Sequence, residues 1–139
     1  RFETVMHSDG SMGGALTCEN SIQYRGINDS KKTFVSMNGQ EVFRFAVRKV
    51  PECIEELISK MKIEKSEIDL FLLHQANKRI LESIGKRLKV SMEYGNTSSA
   101  SIPILLDEMV RDGKIQKGNK IIMAGFGAGL TWSAVYLEF

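Results

Sequence analysis

The longest stretch of regular hydrophobic spacing runs from Glu41 to Met61. Val42, Ala46, Val50, Ile54, Ile58 and Met61 recur every three or four residues, and Phe43, Val47 and Leu57 widen the stripe. That spacing predicts an amphipathic helix. Pro51 interrupts it; a proline lacks the backbone N–H and crowds the preceding turn, which predicts a kink or two consecutive helices. Asp69-Leu70-Phe71-Leu72-Leu73 is a short continuous apolar run, the pattern of a central strand covered on both faces. Ile80, Ile84 and Leu88 then mark a helix, and Ile102, Leu105, Leu106 and Met109 the buried side of another.

The remaining elements are shorter. Phe2–Met6 reads as a strand, residues 8–14 as a glycine turn with φ > 0 available, and Ala15–Thr17 as a resumed strand. Residues 18–38 are polar and weakly patterned, which predicts a long loop. The hydroxyl-rich segment before Pro103 offers N-caps for the helix that Asp112-Gly113 stops. Lys120–Ala124 is a strand, Gly125–Gly129 a tight turn, and Trp132–Phe139 a closing strand. The order β–loop–α–β–α–α–β–β favours a layered α/β domain with a mixed sheet.

Composition narrows the function classes. With 139 residues, 42% hydrophobic and 26% charged, the chain has the balance of one ordinary folded domain. Nineteen basic against 17 acidic residues give a net charge of +2, too little to imply nucleic acid. No apolar run reaches bilayer length, so no membrane span is expected, and a reducing, cytoplasmic setting is the default. The chain opens Arg-Phe-Glu without an initiator Met, so chemistry here can depend on groups outside it.

The candidate chemistry lies at element ends. His74 ends the apolar run, where a neutral imidazole can donate one N–H to a substrate oxygen; the bland alternative is a polar residue that closes a strand. Asn96 follows Gly95 and can supply a second neutral donor to the same oxygen, or be a turn residue. Gly125–Gly129 can expose backbone N–H groups, yet lacks the Lys of a nucleotide-phosphate loop and the dinucleotide spacing. Cys53 sits on an apolar helix face and Cys18 beside Glu19, so neither reads as a nucleophile, and no metal is expected. Arg79, Lys86 and Arg87 share one helix stripe, a docking patch for a phosphate-bearing ligand or an acidic protein, or simply a solvated face.

Taken together, His-Gln-Ala-Asn at 74–77, Tyr-Gly-Asn-Thr-Ser-Ser-Ala-Ser at 94–101 and Gly-Phe-Gly-Ala-Gly-Leu-Thr-Trp at 125–132 closely resemble the C-terminal half of the β-ketoacyl-acyl carrier protein synthase III family, in the thiolase-like superfamily. Ser8-Asp9-Gly10, residues 37–43 and residues 107–115 extend the resemblance over nearly the whole chain. It implies a layered α-β-α-β-α fold of two similar halves. Residues 1–36 would end the N-terminal half and its connecting loop, and residues 37–139 would form the C-terminal half-domain.

The implied reaction is decarboxylative Claisen condensation of malonyl-acyl carrier protein with an acyl-CoA primer, at the start of fatty acid synthesis. Its substrates are acyl-CoA and phosphopantetheine-linked; no separate cofactor is implied. His74 and Asn96 would stabilise the enolate, and the backbone N–H of Ala128 would serve the oxyanion hole of the Cys-bound acyl group. Gly39, Ala76 and Asn77 match positions near the pantetheine arm, Phe43 and Phe126 aromatic positions near the active site, and Arg79 the basic residue at the tunnel mouth. Arg44, Lys86 and Arg87, with Arg79, match carrier-protein contacts, and a homodimer is implied.

Two departures accompany the match. The family's nucleophilic Cys belongs to the N-terminal half, and neither Cys18 nor Cys53 occupies its motif. The run from Leu88 to Tyr94 is shorter than the family's, which suggests residues omitted between Met92 and Tyr94. The alternative reading is a non-catalytic fragment that binds a carrier protein or dimerises.

Overall fold

A computed structural model describes residues 1–18, 35–88 and 98–139. Asn96, the proposed omission near Met92 and most of the expected 18–38 loop lie outside those residues.

Strand β1 (Phe2–Ser8) leads through a short 3-10 segment, Gly10–Ala15, into β2 (Leu16–Cys18). Asp9 caps that segment by accepting the Ser11 N–H, and none of its glycines needs a positive φ, contrary to the expected glycine turn. The expected loop also loses its end: Val35–Met37 is a strand, β3, paired antiparallel with β2 from Leu16 opposite Met37 to Cys18 opposite Val35. Three residues with a distant partner leave no periodic signature of their own, so the polar composition around them predicts a loop instead.

Helix α1 (Gly39–Met61) is one continuous helix of 23 residues. Asn38 caps it by accepting the Glu41 N–H, and Lys62 ends it in the left-handed conformation. Pro51 therefore does not divide it. The residue is buried against the core, and Val47, whose carbonyl would have bonded an N–H at position 51, receives the guanidinium of Arg87 instead. The buried face carries Val42, Ala46, Val50, Ile54, Leu57 and Met61 as the spacing predicts, with Phe45 added, while Ile58, Phe43 and Val47 of the predicted stripe are only partly buried.

The main sheet contains β4 (Leu70–Leu73), β5 (Lys120–Gly127) and β6 (Thr131–Glu138), in the order β1-β6-β5-β4. Only β4 and β5 run parallel, so the sheet is mixed. The segment expected as a turn at Gly125–Gly129 is strand through Gly127, and the chain reverses over the residues that follow.

Alternation along the strands divides the core. Leu73, Ile122, Ala124, Ala134 and Tyr136 face α1 and α2 (Lys78–Leu88). Leu72 and Ile121 face the other way, toward Leu105 of α3 (Ser101–Arg111) and Ile115. Adjacent residues on a strand point to opposite faces, which is why a sheet covered on both sides reads as an unbroken apolar run. The result is a helix–sheet–helix sandwich with the C-terminal ends of β4 and β5 open at one edge. Among the described residues, no helix is long and apolar enough to cross a membrane.

Candidate active site

His74 is the first residue past β4. Its N–H continues the ladder to Ala124 at 2.8 Å, so the parallel pairing fixes the backbone from which the imidazole projects. Its Nδ1 lies 2.9 Å from the Ser101 hydroxyl, and its ring meets that of Phe126 edge to face, centroids 5.3 Å apart. Burial lowers the His74 pKa below its ordinary value, and a hydrogen bond from the ring to the Ser98 backbone, which favours the charged form, opposes it in part. The neutral imidazole is therefore the favoured form, as a hydrogen-bond donor to a carbonyl requires.

The rest of the His-Gln-Ala-Asn motif is structural as well as site-forming. Gln75 is buried; its amide donates to the Leu73 carbonyl at 2.7 Å, while its Oε1 has no hydrogen-bond partner among the described residues. Asn77 accepts the Arg79 N–H at 2.8 Å, and its carbonyl accepts the Leu81 N–H, so it starts α2.

These elements enclose an open cavity of about 1200 Å³. His74, Ala76, Asn77 and Arg79 line it from the β4–α2 junction, and Gly39, Phe43 and Arg44 from the start of α1. Phe126 and Ala128 line it from β5 and the following turn. Nine expected residues from three separate parts of the chain thus surround one space. Lys86 and Arg87 do not line it; both lie exposed on the last turn of α2, and Arg87 is engaged with Val47. Asn96 lies outside the described residues, so its distance from His74 is not part of this geometry.

Several contributors are not legible in the sequence alone. Leu16, Thr17, Cys18, Val35 and Met37 form a wall of the cavity from β2 and β3; the expected 18–38 loop hides the last three, and the expected strand gives Leu16 and Thr17 no role in a site. Ile102 lines it from α3, beside Gly125; a side chain at Gly125 would come within 3.8 Å of the His74 Cβ and 3.7 Å of the Ile102 Cδ1. The sequence offers Ser101 among the N-cap hydroxyls, but α3 is capped at Ala100 without a side-chain bond, and the Ser101 hydroxyl serves His74 and Gln75. The available signal was its place as the last hydroxyl of the cluster, just inside the helix. Cys53 behaves as expected: its thiol faces the Val5 carbonyl, and burial pushes its pKa up to about 11.

Comparison with known proteins gives the family. Residues 58–139 match the family model described as 3-oxoacyl-[acyl-carrier-protein (ACP)] synthase III C terminal. The chain is 48% identical to a β-ketoacyl-[acyl-carrier-protein] synthase III of Synechococcus elongatus, over 96% of this chain and 44% of that protein. It is 45% identical to the chloroplastic β-ketoacyl-[acyl-carrier-protein] synthase III B of Cuphea wrightii, over 99% of this chain and 40% of that one. The crystal structure of the synthase III from Thermus thermophilus superimposes with a TM-score of 0.85 at 38% identity, covering 98% of this chain and 45% of that one. The Aquifex aeolicus enzyme gives 0.84 at 35% identity, with 98% and 43% covered. The chain therefore spans less than half the length of these relatives, and its fold is thiolase-like. By sequence and by structure, the chain belongs to the β-ketoacyl-[acyl-carrier-protein] synthase III family, matching its C-terminal part.

Proposed function

We propose that this chain supplies the enolate-stabilising part of an enzyme that condenses malonyl-acyl carrier protein with an acyl-CoA primer. The observation that carries the reading is His74 itself. It is a half-buried imidazole at the C-terminal end of a parallel strand, engaged at Nδ1 and facing a large cavity. As the malonyl carbon–carboxylate bond breaks, its electron pair moves onto the thioester as an enolate and carbon dioxide leaves. His74 Nε2–H and the Asn96 amide are the donors assigned to the developing oxyanion. The enolate carbon then attacks the enzyme-bound acyl thioester, the backbone N–H of Ala128 stabilises the tetrahedral oxyanion, and the cysteine thiolate departs.

That thiolate is assigned to the part of the relatives that this chain does not span. Cys53 is buried with a raised pKa and cannot present a thiolate at neutral pH. The pantetheine arm is assigned to the cavity between Gly39, Phe43, Ala76, Asn77 and Phe126, with Arg79 and Arg44 on its wall. Those two, with Lys86 and Arg87, give a basic surface for an acidic carrier protein. Homodimerisation and a cytoplasmic setting belong to the same reading.

The test is kinetic, in the complete protein. His74→Ala and Asn96→Ala should each lower malonyl decarboxylation by about 10²–10³-fold, the usual loss for one oxyanion donor. Transfer of the acyl group from acyl-CoA to the enzyme thiol should remain near wild type. Normal decarboxylation in both variants would refute the assignment.

A further inference from the structure

Ser101 is 3% exposed, and its hydroxyl has two neighbours that matter: His74 Nδ1 at 2.9 Å and the Gln75 N–H at 3.1 Å. It stands at the first position of α3, where a hydroxyl ordinarily serves the helix; here the helix has no side-chain cap bond, and the hydroxyl is turned toward the end of β4 instead. A serine hydroxyl carries one proton and two lone pairs. The Gln75 N–H occupies a lone pair, because a backbone amide can only donate. The proton and the second lone pair remain for Nδ1, so the contact fits either direction; donation from the hydroxyl would make Nδ1 an acceptor and leave the ring proton on Nε2.

We propose that Ser101 is the positioning residue for His74: its hydroxyl donates to Nδ1, fixes the imidazole plane and holds the ring in the Nε2–H tautomer. The edge of Phe126 restrains the ring as well, but a ring contact cannot choose between tautomers. The same hydroxyl ties the His74–Gln75 backbone to α3, so the element that closes one side of the cavity also sets the proton that faces substrate. That Nε2–H then serves a thioester carbonyl rests on the function proposed above.

The experiment is nitrogen NMR of the complete protein labelled with ¹⁵N-histidine, without substrate, with His74 assigned by the signals lost in His74→Gln. Wild type should show Nε2–H with an acceptor-type Nδ1. Ser101→Ala should shift the tautomer ratio by about tenfold, the worth of one hydrogen bond, and Ser101→Thr should restore it. An Nδ1–H tautomer in wild type overturns the proposal. So does a Ser101→Ala protein that melts earlier but keeps the wild-type tautomer, for then Ser101 serves only the Gln75 amide. If Ser101→Ala does not fold, Ser101→Cys, a far weaker donor, replaces it with the same expected and refuting outcomes. Because no substrate is present, failure here is separate from unchanged decarboxylation in His74→Ala, which would sink the functional reading alone.

Discussion

The guanidinium of Arg87 in α2 donates to the carbonyl oxygen of Val47 in α1, 3.4 Å away and four residues before Pro51. Proline cannot complete that turn of the helix, and a side chain from the neighbouring helix takes the vacant acceptor. The interaction joins two helices that pack side by side on one face of the sheet, and it uses a residue also assigned to carrier-protein binding.

Arg87→Ala should lower stability by roughly 0.5–1 kcal/mol, the usual net worth of one hydrogen bond. In a Pro51→Ala background residue 51 regains an N–H for Val47, and the same change should cost almost nothing. Urea denaturation of the four proteins in a double-mutant cycle measures the coupling. Equal losses in both backgrounds would remove the link. Lys86 makes no such bond among the described residues, so Lys86→Ala should weaken carrier-protein binding without a matching loss of stability.

His74 should make stability pH-dependent in a defined window. Its folded pKa is lowered by burial, so the unfolded chain binds the proton more readily. Stability should fall as pH drops below 6.5, the ordinary imidazole value, and level off once pH passes the depressed folded value. His74→Gln should flatten that part of the curve. Four carboxylates act lower. Lys60, Ser11, Lys49 and Lys120 hold Glu3, Asp9, Glu52 and Glu67 respectively below their ordinary values of 4.5 or 3.8. Their contribution is intact above those values and is lost on further acidification. Denaturation midpoints from pH 2 to pH 8, compared between wild type and His74→Gln, separate the two windows; superimposable curves would contradict the burial of His74.

The turn that carries Ala128 depends on one glycine. Gly129 has φ of 137°, a region that side chains avoid, and an added Cβ would lie 2.8 Å from the Thr131 Cγ2. Gly129→Ala should cost about 1–3 kcal/mol. Gly127→Ala, two residues earlier with nothing within 4 Å of the new methyl, should change stability little. Thermal unfolding of both variants checks the contrast, and similar melting temperatures would deny the turn its special conformation.

What the sequence determined follows from local repetition. The spacing from Val42 to Met61 settles which face of α1 is buried, because burial of a helical stripe needs only that something apolar lies opposite. The unbroken run at 70–73 settles that β4 is covered on both sides and that His74 falls at its end. The family motifs also single out nine residues that line one cavity in the structure.

Tertiary structure decided which distant groups meet. Val35–Met37 is a strand because β2 lies beside it, α1 continues through Pro51 in the company of Arg87, and Ser101 serves His74 rather than its own helix. Each of these contacts joins residues about 20 to 40 positions apart. A hydrogen bond of that kind leaves no period in the sequence, since its partner is chosen by how the helices and strands stack, not by the residues on either side.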